Sequence, residues 1–305
     1  MASTPPDWEA HPLRTLLFAP GNDERKLEKV GSFGSDVIVL DLEDAVADAE
    51  KTAARAIVRG ALPRYGSGVV CVRVSGESSG RLEGDLDGVV CDHLDCVMVP
   101  KVQEVETLLR VDARLEALER ARGIPAGTIR LLALVETAKG LVACEAIAAA
   151  APRRLVTLVF GLGDFATDIG VDVTYDGAEL LYARSRVVVA ARAAGLRAAL
   201  DGPYLDIHNR EGLTADSWRS RQLGFQGRVI VYPAHVEPTQ RAYSDISPAD
   251  AERARRLVAA FERAEAAGTA SIQVDGAFVD YPIYERARQK LKLYEALAST
   301  GADAR

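Results

Sequence analysis

Eight short apolar runs between residues 14 and 232 constrain the fold of this chain more than any other feature of its sequence. Most are apolar throughout rather than alternating with polar residues, which is typical of strands buried on both faces of a parallel sheet. The predicted strands are 14–19, 37–42, 69–74, 97–101, 131–136, 156–161, 198–201 and 228–232. Segments with helical periodicity lie between several of them, at 24–33, 47–65, 102–121, 138–150, 176–194 and 215–223.

This alternation predicts an α/β fold and favours a (β/α)8 TIM barrel. A doubly wound sheet has the same alternation, but it seldom uses eight strands of such even length. The pattern changes after the eighth run: a helix is predicted at 247–268, then a short loop, then a last helix at 283–298. We therefore expect a barrel catalytic domain at 1–245 and a C-terminal helical extension with a lid segment at 246–305.

Composition excludes several classes of protein. Lys plus Arg number 37 and Asp plus Glu number 44, a net charge of −7, whereas a nucleic-acid binder needs a basic surface. No apolar run is long enough to span a bilayer, so no membrane partner is expected. The four cysteines form no CxxC pair, which favours a reducing, cytoplasmic location. The first dozen residues are polar, lack a secretory signal pattern and are expected to be frayed.

Carboxylates follow several of the predicted strands, at the end where TIM barrels carry their active sites. Converging carboxylates repel one another unless a cation lies among them, and oxygen ligands suit a hard divalent ion such as Mg²⁺. Glu136 and Asp164 are the strongest candidates, because each follows an uninterrupted apolar run. Glu43, Asp44 and Asp201 are equally well explained as helix caps or ion-pair partners.

Two motif matches carry little weight. Residues 161–166, GLGDFA, match a relaxed dinucleotide fingerprint, but Asp164 would point a carboxylate at the pyrophosphate. Gly161 and Gly163 there allow close backbone approach beside Asp164. Residues 76–80, GESSG, match the nucleophile-elbow pattern, but that motif must run into a helix and 81–88 is a poor helix candidate.

Six stretches, in order along the chain, resemble motifs of the HpcH/HpaI aldolase/citrate lyase (citrate lyase β-subunit-like) family, in particular its malyl-CoA and citramalyl-CoA lyases. They are RTLLFAPGN at 14–22, DVIVLDLEDAV at 36–46, VRV at 72–74, MVPK at 98–101, LVETAKG at 134–140 and FGLGDF at 160–165. The resemblance implies a (β/α)8 barrel in a homotrimer or hexamer, Mg²⁺ (or Mn²⁺) as cofactor and an acyl-CoA thioester as substrate. It also implies cleavage or formation of a carbon–carbon bond beside a 3-hydroxy group.

The resemblance further assigns roles to residues. Glu136 and Asp164 match the metal ligands, and Arg73 matches the arginine that holds the substrate carboxylate or oxyanion. Residues 276–282, GAFVDYP, resemble a G-x-M-I-D-x-P stretch that supplies an acid to a neighbouring subunit, which makes Asp280 the candidate. Asp280 is equally placed to cap the last helix, and both roles are compatible. The remaining candidates for contact with substrate or CoA are Arg14, Glu43, Asp44, Lys51 and Pro100.

The chain also departs from the family pattern. Thr15 replaces a serine but keeps the hydroxyl, Ser75 replaces an asparagine two residues after Arg73, and Tyr232 stands where histidine is common. These changes leave open which hydroxy acid the substrate carries. Two further activities stay open as well. One is a Mg²⁺-dependent 2-oxo acid aldolase that acts on free acids. The other is a citrate lyase β subunit that acts on an acyl-carrier protein.

Overall fold

The computed structural model describes residues 6–66, 68–150, 152–244 and 246–299. The chain divides into two compact units, Met1–Tyr243 and Ser244–Arg305. No helix in these ranges is long and apolar enough to cross a membrane.

The first unit contains eight parallel strands that close into a barrel in sequence order, with β1 paired to β8. The strands are β1 (Thr15–Pro20), β2 (Val37–Asp41), β3 (Val69–Arg73), β4 (Cys96–Val99), β5 (Arg130–Val135), β6 (Leu155–Phe160), β7 (Leu200–Asp201) and β8 (Gly227–Ile230). All eight lie at the predicted positions, and the predicted (β/α)8 barrel is confirmed.

Burial on both faces explains why the strands are apolar throughout. Val39 and Cys71 belong to the cluster that fills the barrel interior. Their neighbours Leu40 and Val72 belong to the larger cluster between the strands and the surrounding helices. Because successive strand residues point to opposite faces, one run must supply apolar side chains to both clusters.

Helices surround the strands. They are α1 (Glu24–Val30), α2 (Lys51–Ala61), α3 (Leu82–Val89), α4 (Val105–Arg122), α5 (Ala138–Ala149), α6 (Leu162–Ile169), α7 (Leu181–Ala193), α8 (Arg210–Leu223) and α9 (Val236–Ser244). The expectation that 81–88 would make a poor helix was wrong. A Cβ at Gly84 or Gly88 would lie 3.2 Å from the side chain of Arg55 on α2, so these glycines give room for Arg55 against α3. Packing thus overrides their low helix propensity.

The start of the chain also differs from expectation. Trp8 is only 7% exposed and joins the cluster inside the barrel. The guanidinium of Arg197 donates hydrogen bonds to the carbonyl oxygens of Trp8 and His11. Residues 6–12 are therefore packed rather than frayed.

The second unit consists of α10 (Pro248–Ala266), an antiparallel hairpin of β9 (Ile272–Val274) and β10 (Ala277–Val279), and α11 (Tyr281–Ser299). A loop was expected where the hairpin lies. Asp275 and Gly276 at its turn both have positive φ, 51° and 78°, the combination that favours a two-residue hairpin turn. Phe261 and Tyr284 stack at 4.7 Å between ring centroids and form the core of this unit with Val279.

Candidate active site

A buried arginine–aspartate pair joins the carboxyl ends of β2 and β3. Asp41 and Arg73 are the last residues of these strands and are register partners. Arg73 Nε donates to Asp41 Oδ1 at 2.7 Å, and Nη2 donates to Oδ2 at 2.6 Å. This two-pronged geometry fixes the plane of the guanidinium as well as its position.

Arg73 also faces the loop that follows β2. Its Nη1 lies 3.0 Å from Glu43 Oε2 and 3.6 Å from Asp44 Oδ2, and its guanidinium stacks over the ring of Phe18 at 5.1 Å. Burial works to lower the pKa of Arg73, but the hydrogen bonds and charge of Asp41 outweigh it and raise that pKa above its ordinary value. Arg73 is therefore a permanent, oriented cation.

Asp41 is the first site residue that the sequence analysis missed. Besides holding Arg73, its carboxylate accepts the backbone N–H of Glu43 at 2.9 Å and that of Ala45 at 3.1 Å. Asp41 thus shapes the loop and aligns the arginine at once. In the sequence it is one of three acidic residues within residues 41–44. Only the pairing of β2 with β3 distinguishes its role from those of Glu43 and Asp44.

Lys51 binds the backbone of the loop that follows β2. Its buried ammonium donates to the carbonyl oxygens of Leu42 at 2.8 Å and Glu43 at 2.7 Å. The sequence predicts Lys51 as a contact for substrate or CoA. The structure instead commits two of its three donors to the backbone that carries Glu43 and Asp44.

Lys101, directly after β4 and Pro100, is the second residue missed. Its backbone N–H donates to Glu136 Oε1 at 2.8 Å, from a left-handed conformation with φ of 50°. Its ammonium Nζ lies 2.8 Å from Glu43 Oε1, 3.3 Å from Asp44 Oδ1 and 3.9 Å from Asp164 Oδ1. Sequence analysis had singled out the buried Pro100, whose neighbour makes these contacts.

Glu136 is as deeply buried as Asp41, at 1% exposure. Burial, followed by the charges of Glu43 and Asp164, raises its pKa well above the ordinary value. Gly161 makes this position possible. A Cβ at Gly161 would lie 2.3 Å from Glu136 Cβ and 2.4 Å from Glu136 Oε2, so any side chain there would displace the glutamate.

Asp164 lies in the first turn of α6, with its side chain 43% exposed. A Cβ at Gly163, the residue before it, would meet nothing within 4 Å, so the space beside Asp164 is open there. Glu136, whose pKa is raised by burial and by the charges of Glu43 and Asp164, and the more exposed Asp164 together fit a bound cation, which would stabilise both negative charges. No cluster of three or more His, Cys, Asp or Glu suited to a metal occurs in the described ranges. Mg²⁺ commonly takes one or two carboxylates, with water and substrate as its other ligands, so the pair fits that ion.

The structure places Arg14 away from this group, which corrects its listing as a contact for substrate or CoA. Arg14 precedes β1 and lies at the amino end of the barrel strands. Its Nε and Nη2 donate to the carboxylate of Asp36 at 2.9 and 2.7 Å. Arg14 thus ties the starts of β1 and β2 together at the end of the barrel opposite to Arg73.

Asp201 is held in a separate ion-pair network after β7. Its Oδ2 lies 3.1 Å from Arg184 Nη2, and Asp216 bridges Arg184 and Arg228 at 3.0 and 2.8 Å. A cavity of about 270 Å³ lies beside this network, lined among others by Tyr204. The ion-pair explanation of Asp201 is the one that the structure supports.

Asp280 belongs to the second unit and directly precedes α11. Its Oδ1 accepts the backbone N–H of Ile283 at 3.3 Å, and its carbonyl oxygen accepts that of Tyr284 at 2.9 Å. The helix-capping role is therefore present. Two large apolar side chains beside it, Phe278 and Tyr281, are 62% and 48% exposed.

Known proteins resemble this chain over nearly its whole length. Citrate lyase subunit beta of Leuconostoc mesenteroides subsp. cremoris is 34% identical over 285 residues, which cover 93% of each chain. A (3S)-malyl-CoA thioesterase of Cereibacter sphaeroides is 36% identical over 293 residues, which cover 95% of this chain and 98% of the relative. The crystal structure of CitE from Mycobacterium tuberculosis in complex with magnesium, acetoacetate and coenzyme A matches with a TM-score of 0.73 and 28% identity. It covers 94% of this chain and 99% of that one.

The HpcH/HpaI aldolase/citrate lyase family model matches residues 14–233, which include all eight strands and every carboxylate of the site after β2, β5 and β6. The resemblance seen in the sequence is confirmed, and this chain belongs to the HpcH/HpaI aldolase/citrate lyase family.

Proposed function

We propose that this protein is a Mg²⁺-dependent carbon–carbon lyase. It would cleave or form a 3-hydroxy-dicarboxylyl-CoA thioester of the malyl-, citramalyl- or citryl-CoA type, with an acyl-CoA and a 2-oxo acid as the other partners. The observation that carries the proposal is the carboxylate pair Glu136 and Asp164 at the same end of the barrel as the clamped cation Arg73. The CitE complex with magnesium, acetoacetate and coenzyme A supports this choice of metal and ligand.

Each of the proposed site residues has a defined task in such a reaction. Glu136 and Asp164 would hold the metal, and magnesium bound there would supply a Lewis acid for the oxygen atoms of the hydroxy acid and of the 2-oxo acid. Arg73 faces the negative charge that develops on the thioester oxygen. Because Asp41 fixes its guanidinium in advance, little reorganisation is needed as that charge forms.

Asp280 is proposed as the acid that protonates the enolate carbon of the departing acyl-CoA. We propose that it acts on the site of a neighbouring subunit in a homotrimer or hexamer. A carboxylic acid on a segment that closes over the substrate would also exclude water from the reacting carbon.

Thioester hydrolysis is the second candidate, because the relatives named (3S)-malyl-CoA thioesterase match at 36% identity. The two activities give different products. Cleavage of the carbon–carbon bond releases a 2-oxo acid and an acyl-CoA, whereas hydrolysis releases free CoA and a hydroxy acid. One reaction mixture can therefore be scored for both.

The test incubates the purified protein with malyl-, citramalyl- and citryl-CoA, with Mg²⁺ or with EDTA, and quantifies all products by liquid chromatography and mass spectrometry. Metal-dependent formation of a 2-oxo acid from any of the three supports the lyase. Release of CoA alone supports the thioesterase. No turnover of CoA thioesters, together with activity on free acids or on an acyl-carrier substrate, would refute the proposal in favour of one of those activities.

Three variants test the assigned residues. Glu136→Gln and Asp164→Asn are expected to lose turnover and to weaken Mg²⁺ binding in calorimetry. Glu116→Gln on the exposed face of α4 is the matched control and is expected to change neither. Asp280→Asn is expected to lose turnover but to keep Mg²⁺ affinity.

A mixed oligomer tests whether Asp280 acts across subunits. Co-expressed Asp280→Asn and Glu136→Gln chains are expected to regain part of the activity that each homogeneous variant lacks, because some interfaces combine an intact Glu136 with an intact Asp280. Inactive mixed oligomers would refute the contribution from a neighbouring subunit.

A further inference from the structure

Lys101 contacts all four carboxylates of the candidate site outside the Arg73–Asp41 pair. Its backbone N–H is hydrogen bonded to Glu136, and its ammonium lies within 4 Å of Glu43, Asp44 and Asp164. These acids come from three different segments of the chain: the loop after β2, the position directly after β5 and the first turn of α6. One residue after β4 therefore connects every acidic element of the site.

The backbone at Lys101 shows that this position is held by its surroundings. A φ of 50° is unfavourable for a residue with a side chain, and Lys lacks the local hydrogen bonds that make Asn and Asp tolerable there. This conformation directs the N–H at Glu136 while the side chain reaches Glu43. Carboxylate oxygens surround the positive charge of its ammonium, at 2.8 Å for Glu43 and 3.3 Å for Asp44.

We propose that Lys101 is a resident counter-ion of the metal site. Its ammonium offsets part of the negative charge of these carboxylates in the metal-free protein and, by repelling the incoming ion, lowers the affinity of the free protein for Mg²⁺. The inference rests on the proposed magnesium site. Its consequence is a metal that binds firmly only when an anionic ligand adds its own negative charge.

The distances set the size of the effect. Nζ lies 3.9 Å from Asp164 Oδ1, and Mg²⁺ binds oxygen at about 2 Å, so the two cations lie within about 6 Å. Even with the dielectric constant of water, about 80, the repulsion of a divalent by a monovalent cation at that distance corresponds to about a tenfold change in affinity. Lower local polarity would increase it.

The test is isothermal titration calorimetry of Mg²⁺ alone, at low ionic strength and without substrate. Lys101→Met, which keeps most of the chain length but not the charge, is expected to bind Mg²⁺ about tenfold more tightly than the unchanged protein. Lys101→Arg is expected to stay close to the unchanged protein, and so is the exposed control Lys29→Met. The gain in Lys101→Met is expected to shrink as KCl is raised, because mobile ions screen the repulsion.

The outcomes separate this inference from the proposed function. Mg²⁺ binding that is equal or weaker in Lys101→Met, with clear binding in the unchanged protein, overturns the counter-ion role and leaves the metal site standing. No Mg²⁺ binding in either protein overturns the metal site and both proposals. If Lys101→Met does not fold without metal, the comparison moves to Lys101→Met/Asp44→Asn against Asp44→Asn alone. The double variant has one carboxylate fewer than Lys101→Met, which lowers the repulsion among the remaining acids. It is expected to bind Mg²⁺ more tightly than Asp44→Asn alone.

Discussion

Gly161→Ala would add a single methyl group next to the proposed metal ligand Glu136. Its Cβ would lie 2.3 Å from Glu136 Cβ and 2.4 Å from Glu136 Oε2, whereas non-bonded carbons prefer about 3.5–4.0 Å. The backbone of Gly161 has φ of −91°, so no positive φ excludes alanine. The penalty is therefore steric, and Glu136 must move by more than about 1 Å.

A displacement of that size has separable consequences for stability and activity. Overpacking of this kind lowers the free energy of unfolding by about 1–3 kcal/mol, which corresponds to roughly 2–4 °C of melting temperature per kcal/mol. Misplacing a catalytic ligand by about 1 Å lowers kcat/KM by about 100-fold. Differential scanning fluorimetry, Mg²⁺ calorimetry and the product assay measure the three effects.

Gly163→Ala is the matched control two residues away. A Cβ there would meet nothing within 4 Å, and alanine favours the helix, so stability should stay equal or rise by up to about 1 kcal/mol. Glu136→Gly provides a second check, because Gly161→Ala should cost little in that background. Gly161→Ala with unchanged melting temperature and Mg²⁺ affinity would refute the steric argument.

Three other substitutions test charges elsewhere in the barrel. Burial raises the pKa of Asp95 to about 6, so the folded state holds a proton that the unfolded state releases near pH 4. Stability therefore falls by up to about 3 kcal/mol between pH 4 and 6. Asp95→Asn keeps an acceptor for the N–H of Val70 and should flatten that part of a urea-unfolding pH profile; an unchanged profile would contradict the assignment. For Asp216, burial works to raise the pKa, but the charges of Arg228 and Arg184 lower it to about 2. The stabilisation that Asp216 contributes is present above pH 4 and is lost toward pH 2. Asp216→Asn should lower the free energy of unfolding by about 3–5 kcal/mol at pH 7. A near-neutral effect would show that the ion-pair network is dispensable for stability. Lys51→Met leaves two buried carbonyl groups without their donor and should lower both stability, by about 2 kcal/mol, and turnover; normal kcat in a destabilised protein would separate the loop from catalysis.

The barrel could be predicted from the sequence because its strands must feed two apolar clusters at once. That requirement gives continuous apolar runs, which few other arrangements produce. Weaker elements escaped because their sequences conflict with their packing. The glycines of α3 oppose a helix until Arg55 is seen against them, and each strand of the β9–β10 hairpin is only three residues long.

The candidate site was predictable where a charged residue ends an apolar run, as Arg73, Glu136 and Asp164 do. Site residues whose role depends on the pairing of neighbouring strands could not be predicted from the sequence. Asp41 looks like its neighbouring acids until its register with Arg73 is known, and Lys101 looks like a surface lysine until four carboxylates surround it. Arg14 misled because a motif residue at the start of a strand lies at the wrong end of the barrel.

The ion pairs that join α7, β7, α8 and β8 divide the ring of strands into two sectors. Every carboxylate proposed for chemistry in the barrel lies between β2 and the start of α6, while Arg184, Asp201, Asp216 and Arg228 satisfy one another in the remaining sector beside the 270 Å³ cavity. Because these charged residues pair with one another and the neighbouring loops carry none of the proposed chemistry, those loops should tolerate substitution. Randomised loop libraries, or new chain termini introduced by circular permutation, therefore belong in the β7–β8 sector. Changes made there leave the residues proposed for the reaction in place.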